Sequence, residues 1–309
     1  MGFFQSTKRA RGGTREPLAA GQPLASYRLT RVLASGGFSL VYLAQDAGGA
    51  PVAIKEYLPA TLATRTRGSP VPTVPASTAA AYRHGLKCFF EEARALASLS
   101  HPNVVRVLDF FSAHDTAYMV MSHESGGTLK DRILAQKKPP AELWVRQTFL
   151  ELLDGLREVH ARRLLHLDIK PGNIYLRSDG SPLLLDFGAA RVVLEADAPA
   201  LPPLFTPGFA PPERHHDRTK LGPWSDVYSI GATLYACLTA QPPPDAAERQ
   251  KRDRMAPARK ALAGRYSDEL LETVDWCLRL DPMARPQSVF ELQKVLLGER
   301  APGAAGGAA

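Results

Sequence analysis

The chain has 309 residues, of which 45% are apolar and 22% charged, with a formal net charge of +7. This length supports two lobes with their own cores, and the composition is that of an ordinary globular protein. No stretch approaches the roughly 20 apolar residues of a membrane span, no apolar run follows the basic residues at the N-terminus to make a secretory signal, and Cys88, Cys237 and Cys277 are too few and too scattered for a disulfide framework or a metal cluster. A reducing cytoplasm is the expected location. The basic residues are spread along the chain with no nucleic-acid-binding motif beside them, so the charge reads as solubility plus a basic tail, not as nucleic-acid binding.

Residues 1–24 carry Lys8-Arg9-Ala10-Arg11 and few apolar residues beyond Phe3 and Phe4, which predicts a disordered basic tail. Its opening, Met1-Gly2-Phe3-Phe4-Gln5-Ser6, matches the outline of an N-myristoylation pattern, but an aromatic directly after the glycine fits that modification poorly. From there to residue 124 the chain reads mainly as strands. Tyr27 to Leu33 alternates, a glycine turn leads to Leu40–Ala44, and Gly48-Gly49 turns the chain into Val52-Ala53-Ile54-Lys55. Residues 59–78, rich in Pro, Thr and Ser, read as a long mobile loop. A helix runs through Cys88 to Leu96, with Phe89, Ala93, Leu96 and Leu99 at helical spacing, and His101-Pro102 is expected to end it. Residues 104–111 and 117–121 read as two more strands.

Gly126-Gly127 marks a change of texture, and helices dominate the region 125–297. Val145, Phe149, Leu152, Leu156 and Val159 form one amphipathic face. Residues 224–238, 268–280 and 288–297 read as further helices, and 298–309 as a flexible Gly/Ala tail. No internal repeat is present. The pattern predicts an α+β chain: a small antiparallel β-sheet lobe with one main helix, then a larger, mainly helical lobe.

The chemistry concentrates in His166-Leu167-Asp168-Ile169-Lys170-Pro171-Gly172-Asn173, followed by Asp186-Phe187-Gly188. A carboxylate can orient a hydroxyl, a lysine can steady a moving phosphoryl group, and an amide and a second carboxylate are hard oxygen ligands for magnesium. This run resembles the catalytic loop and metal-binding turn of protein kinases. Lys55 upstream and Pro211-Pro212-Glu213 downstream stand in the same family's order, so the resemblance covers about residues 27–297. The chain is identified as resembling Hanks-type (eukaryotic-like) serine/threonine protein kinases with their bilobal protein-kinase fold. Its Ala, Arg and Pro bias and the long loop after Lys55 point to a bacterial source.

The resemblance implies ATP as the phosphoryl donor, magnesium or manganese as the metal, and serine or threonine hydroxyls of proteins as acceptors. It makes Asp168 the base, Lys170 the cation at the transferring group, and Asn173 and Asp186 the metal ligands. Lys55 would hold the α- and β-phosphates and pair with a helix glutamate. That glutamate is Glu92 by its place before Leu96 and His101-Pro102-Asn103; Glu91, about 100° around the helix, is the alternative. The phosphate lid would be Leu33-Ala34-Ser35-Gly36-Gly37-Phe38-Ser39. Val41 and Ala53 would cover the adenine, Tyr175 would form its floor, Met121 would guard the back, and Ser122, His123 and Glu124 would form the hinge. Thr206 in Thr206-Pro207-Gly208-Phe209 would face substrate and fix Asp168 and Lys170. Glu213 and Arg285 would form a buried structural pair, and Asp226 would accept backbone bonds from the catalytic loop. The family also implies a buried column of Phe187, His166, Leu96 and Val107.

Two departures stand out. The family's lid has glycine where this chain has Ala34 and Ser39, and only Gly36 of the three remains. Leu167 replaces the arginine that receives a phosphorylated activation loop in regulated relatives, and Thr206 is the one serine, threonine or tyrosine between Asp186 and Glu213. A phosphate switch needs an acceptor and a basic partner, so activation-loop phosphorylation is not expected to control this chain. Two other functional classes share parts of this pattern. A pseudokinase acting as a nucleotide-binding or scaffold module is favoured by the eroded lid and opposed by intact Lys55, Asp168, Asn173 and Asp186. A small-molecule kinase fits less well, because such relatives generally lack the Pro-Pro-Glu and Thr206 segment.

Overall fold

The computed structural model describes residues 14–187, 206–216 and 218–303. Contacts divide them into one unit of residues up to 100 together with 105–124, and a second of 101–104 together with the residues from 125 onward.

Alternating apolar residues build the first unit. Strands β1 (Pro23–Leu24), β2 (Tyr27–Ser35), β3 (Ser39–Gln45), β4 (Pro51–Tyr57), β5 (Val107–Ala113) and β6 (Thr116–Ser122) form an antiparallel sheet in the order β1-β2-β3-β4-β6-β5. Local chemistry sets the turns. The Asp46 carboxylate accepts the N–H groups of Gly48 and Ala50, and Gly49 takes a φ of +82°. His114 and Asp115 both adopt left-handed backbone in the two-residue turn between β5 and β6, which suits the twist of the flanking strands. Helix α1 (Ala79–Ala97) buries Cys88, Phe89, Ala93 and Leu96. It begins well before the periodic stretch, because Ala79-Ala80-Ala81 propagates a helix without marking a face.

Strand register sorts the side chains. Val41 lies opposite Lys55, Lys55 opposite Met119, and Ala53 opposite Met121, so these five share one face of the sheet. Tyr42, Ile54, Glu56 and Tyr118 occupy the other.

That second face explains two corrections. Residues 14–24, read from sequence as part of a disordered tail, are tied to the sheet: Leu18 and Leu24 are 6% and 1% exposed, and Arg15 forms a parallel bridge with Arg65. Residues 59–78, read as a mobile loop, are anchored by the same Arg65. Its buried guanidinium meets the buried Glu56 carboxylate at 2.5 and 2.8 Å. The hydroxyls of Tyr42 and Tyr118 donate to Glu56 at 2.7 and 2.9 Å, and Arg65 also donates to the Tyr42 hydroxyl. Burial beside that carboxylate raises both phenols above their ordinary pKa. Thr64 and Thr73 bridge across the loop. Residues 1–13, with the basic run and the lipidation outline, lie outside the described residues.

The second unit carries a three-stranded sheet, β7 (Gly126–Thr128), β8 (Ile174–Arg177) and β9 (Pro182–Leu184), and the helices α2 (Leu129–Ala135), α3 (Glu142–Ala161), α4 (Pro212–His216), α5 (Pro223–Thr239), α6 (Ala246–Lys251), α7 (Ala258–Ala261), α8 (Asp268–Cys277) and α9 (Val289–Leu296). The apolar face of α3 is wholly buried, and α5 is apolar nearly all round, as a central helix must be. Side-chain caps start several helices: the hydroxyls of Thr128, Ser267 and Ser288 each accept an N–H from the first turn. The tail after α9 is not loose at once. Gly298 and Glu299 donate to the carbonyls of Val295 and Lys294 in a Schellman cap, with Gly298 at φ +76°. Arg300 pairs with Glu291 at 2.9 Å. Residues 304–309 lie outside the described residues.

Candidate active site

In the first unit, β2 and β3 meet in a hairpin that carries residues 33–39, the stretch expected from sequence to form a phosphate lid. The Gly36 N–H closes its turn on the Ser39 carbonyl at 2.9 Å. Ala34, Ser35, Gly36, Gly37 and Phe38 are exposed, Leu33 and Val41 are half-buried, and Ser39 is buried. Lys55 is 6% exposed, and its ammonium lies 3.2 Å from Glu92 Oε1 and 5.6 Å from the centre of the Phe89 ring. The helix phase brings Glu92, not Glu91, to the lysine; Glu91 pairs with Lys87 on the outer side of α1 at 3.6 Å. Ala53 and Met121 face the same way as Lys55, and Ser122, His123 and Glu124 continue from β6, all half-buried. The Ser122 N–H donates to the Arg106 carbonyl.

In the second unit residues 166–173 are held by a buried carboxylate. Asp226, on α5 and fully buried, accepts the backbone N–H groups of His166 and Leu167 at 2.8 and 2.7 Å and lies 2.8 Å from His160 Nε2. Burial alone would raise its carboxyl, but the His160 hydrogen bond and charge, with the backbone N–H donated by His166, outweigh that and hold it below the usual carboxylate range. Burial lowers the His166 pKa, which Asp226 and Asp168 offset only in part, so the ring is neutral near pH 7. Its Nδ1 accepts the Asp168 N–H, leaving Nε2–H to donate to the Leu185 carbonyl at 3.0 Å. The ring packs against Phe187 at a tilt of 37°, with ring centres 4.3 Å apart. Leu167 and Asp186 both hold left-handed backbone, at φ +59° and +61°, a conformation uncommon outside glycine that clusters at functional loops.

Asp168 is the centre of the polar contacts. Its Oδ2 receives the Lys170 ammonium at 2.7 Å and the Asn173 amide at 2.8 Å. The same ammonium reaches the Thr206 hydroxyl at 3.0 Å. Asn173 also donates to the Asp168 carbonyl, which leaves its amide oxygen as a ligand. That oxygen and the exposed Asp186 carboxylate are a hard donor pair of the kind that shares magnesium with phosphate and water. Tyr175 is half-buried on β8, opposite Leu183. Glu213 and Arg285 form a bidentate buried pair at 2.8 and 3.0 Å, with the Ser225 hydroxyl on the same carboxylate. Gly188 and residues 189–205 lie outside the described residues.

Three contributors escaped the sequence reading. Arg15 and Arg65 sit in stretches that composition marks as unstructured. Arg214 donates to the Leu167 carbonyl and lies 3.9 Å from Asp168 Oδ1; its place directly after Pro211-Pro212-Glu213 was the available signal.

A protein kinase domain profile matches residues 27–296. The chain is 31% identical to the serine/threonine-protein kinase pkn2 of Myxococcus xanthus over 296 residues, covering 87% of this chain and 32% of that protein. It is 33% identical to the serine/threonine-protein kinase PknL of Mycobacterium tuberculosis over 233 residues, 75% of this chain and 53% of that one. Among solved structures it is similar to PpkA-294 in its apo form, at 34% identity and a TM-score of 0.80 over 91% of this chain and 99% of the other. The kinase domain of Mycobacterium tuberculosis PknI, at 22% identity and a TM-score of 0.65 over 92% and 99%, shares the fold. The chain spans about a third to a half of the length of these two curated relatives.

Proposed function

The chain belongs to the protein kinase domain family, among the Hanks-type serine/threonine protein kinases, and from that premise we propose that it transfers the γ-phosphoryl group of ATP to serine and threonine hydroxyls of proteins. The observation that carries this reading is the Lys170 ammonium shared between Asp168 and Thr206. It fixes a carboxylate, a cation and the threonine of a peptide-presenting segment in one hydrogen-bonded set.

Both Lys170 and Asn173 bind Oδ2 of Asp168, which leaves Oδ1, 3.9 Å from the Arg214 guanidinium, as the oxygen to accept from a substrate hydroxyl. Asp168 orients that hydroxyl and takes its proton as the oxygen–phosphorus bond forms and the bond to the β,γ-bridging oxygen breaks, releasing ADP. Lys170 balances the negative charge on the moving phosphoryl group. Lys55, aimed by Glu92, holds the α- and β-phosphates, and the lid from Leu33 to Ser39 covers them. Val41, Ala53, Met121, the Ser122–Glu124 hinge and Tyr175 take the adenine. Asn173 and Asp186 would hold magnesium, or manganese, which supplies charge neutralisation at the phosphates when bound.

Control by activation-loop phosphate is not part of this reading. Leu167 is 1% exposed and packs with Leu165 and Leu221, so its side chain supplies an apolar contact and no cation for a phosphate. Stoichiometric Thr206 phosphate, found by mass spectrometry in an active form and absent from an inactive one, would overturn this. No helix among the described residues is long and apolar enough to cross a membrane. Cys88, Cys237 and Cys277 are unpaired and buried, which favours a reducing cytoplasm.

The activity is tested by incubating the chain with γ-labelled ATP, magnesium and a generic basic protein beside Lys55→Met. Label enters the acceptor protein with the wild type and falls to background with the variant; equal label in both would refute the assignment.

A further inference from the structure

The lid hairpin is held by contacts that its own sequence does not supply. Three consecutive carbonyls at its tip are engaged from one side. The Gly36 carbonyl accepts from Arg15 Nη2 at 2.7 Å, the Gly37 carbonyl from the Ala60 N–H at 2.8 Å, and the Phe38 carbonyl from the Leu58 N–H at 2.9 Å. Arg15 Nη1 spans to the Leu58 carbonyl at 2.6 Å and lies 3.5 Å from the Gly37 carbonyl. One guanidinium therefore clamps the lid to the chain just after β4.

Arg15 is itself fixed. The Glu16 N–H donates to the Arg65 carbonyl, the Arg65 N–H donates to the Thr14 carbonyl, and Arg65 Nε donates to the Glu16 carbonyl at 2.7 Å. Arg65 is locked in turn on Glu56. A buried ion pair, a backbone bridge and a forked side chain thus connect the sheet to the lid tip.

A trans peptide is planar, so its N–H points opposite to its C=O. Carbonyls of Gly36 and Gly37 held toward Arg15 and Ala60 turn the N–H groups of Gly37 and Phe38 the other way. Among the described residues no acceptor takes either N–H. Successive N–H groups presented in this manner make a concavity for anions.

We infer that Arg15 is a positioning residue of the nucleotide lid: it holds the lid peptides so that the Gly37 and Phe38 N–H groups meet the phosphates of ATP. This rests on the reading of the hairpin as the cover of those phosphates. It also accounts for the loss of glycine at Ala34 and Ser39. Glycines let a lid find its orientation by backbone freedom, whereas here an external clamp sets it.

The experiment is calorimetric titration of wild type, Arg15→Ala and Arg15→Lys with magnesium-ATP and, separately, with adenosine, which has no phosphate. The Kd for ATP rises about ten-fold in Arg15→Ala, the loss of about one charge-assisted hydrogen bond, and by less in Arg15→Lys, whose single ammonium cannot span both carbonyls. The Kd for adenosine stays at the wild-type value in all three. Equal weakening toward ATP and adenosine would reduce Arg15 to a prop of the fold, and an unchanged Kd for ATP would remove its role outright. A wild type that binds no magnesium-ATP would instead overturn the kinase reading on which the role depends.

Discussion

Replacing Arg65 with methionine tests the ion pair that anchors residues 14–24 and 59–78. Glu56 accepts four hydrogen bonds, two from Arg65 and one each from Tyr42 and Tyr118, and is fully buried. Methionine keeps most of the volume but leaves the carboxylate with two neutral donors in place of a guanidinium. Removing one partner of a buried pair costs about 3–5 kcal/mol, chiefly because the other charge stays buried without compensation. At about 2–4 °C per kcal/mol for domains approaching this size, the melting temperature falls by ~6–20 °C. Replacing both charges, as Glu56→Leu with Arg65→Met, removes the uncompensated group and recovers most of that loss. Thermal unfolding followed by circular dichroism reads all three variants. A single variant melting within about 2 °C of wild type, or a double variant no better than the single, would show that the pair is not what holds these segments.

Two further outcomes follow from the second unit. Thr206→Val removes one of the two oxygens on the Lys170 ammonium and leaves the 2.7 Å contact to Asp168. The turnover number drops about ten-fold with KM for ATP unchanged, and a variant with raised KM and normal turnover would place Thr206 in nucleotide binding instead. Stability falls on acidification in two steps. The folded pKa of His166 lies below its ordinary 6.5, so the unfolded chain binds more protons and stability is lost as pH drops from 6.5 toward the folded value. The lowered Asp226 acts in the same direction below its ordinary 3.8. The urea midpoint decreases from about pH 8 to about pH 5, with a shallower slope in His166→Asn; a flat profile contradicts the buried neutral ring.

The parts legible in sequence are those where chemistry or period fixes residue type. Two carboxylates, an ammonium and an amide in one order marked Asp168, Lys170, Asn173 and Asp186 through their resemblance to the kinase motifs, and the same resemblance put Glu92 ahead of Glu91 as the partner of Lys55. Val145 to Val159 declared α3 by period alone. The clamp was illegible for a different reason. Arg65 lies in a stretch rich in Pro, Thr and Ser, and its partner Glu56 follows Lys55 in a strand whose period says only that it faces the other way. Nothing local states that two charges will be buried together, and without that pair Arg15 has no fixed place. Leu18 and Leu24 were apolar signals in the tail, but two leucines among charged and small residues carry no period. The end of α8 at Cys277, short of the expected 280, was set by a cap at Leu278 that apolar content does not mark.

The central claim, that Asp168 directs a protein hydroxyl onto the γ-phosphate of ATP, is tested most directly by pairing nucleotide affinity with transfer rate in Asp168→Asn. The substitution keeps the shape of the side chain and removes its ability to accept a proton. The variant is expected to bind magnesium-ATP with the wild-type Kd while phosphoserine and phosphothreonine form at least ~100-fold more slowly in the acceptor protein. Transfer by the variant at the wild-type rate, or a wild type that binds the nucleotide and forms no ADP, would contradict the account.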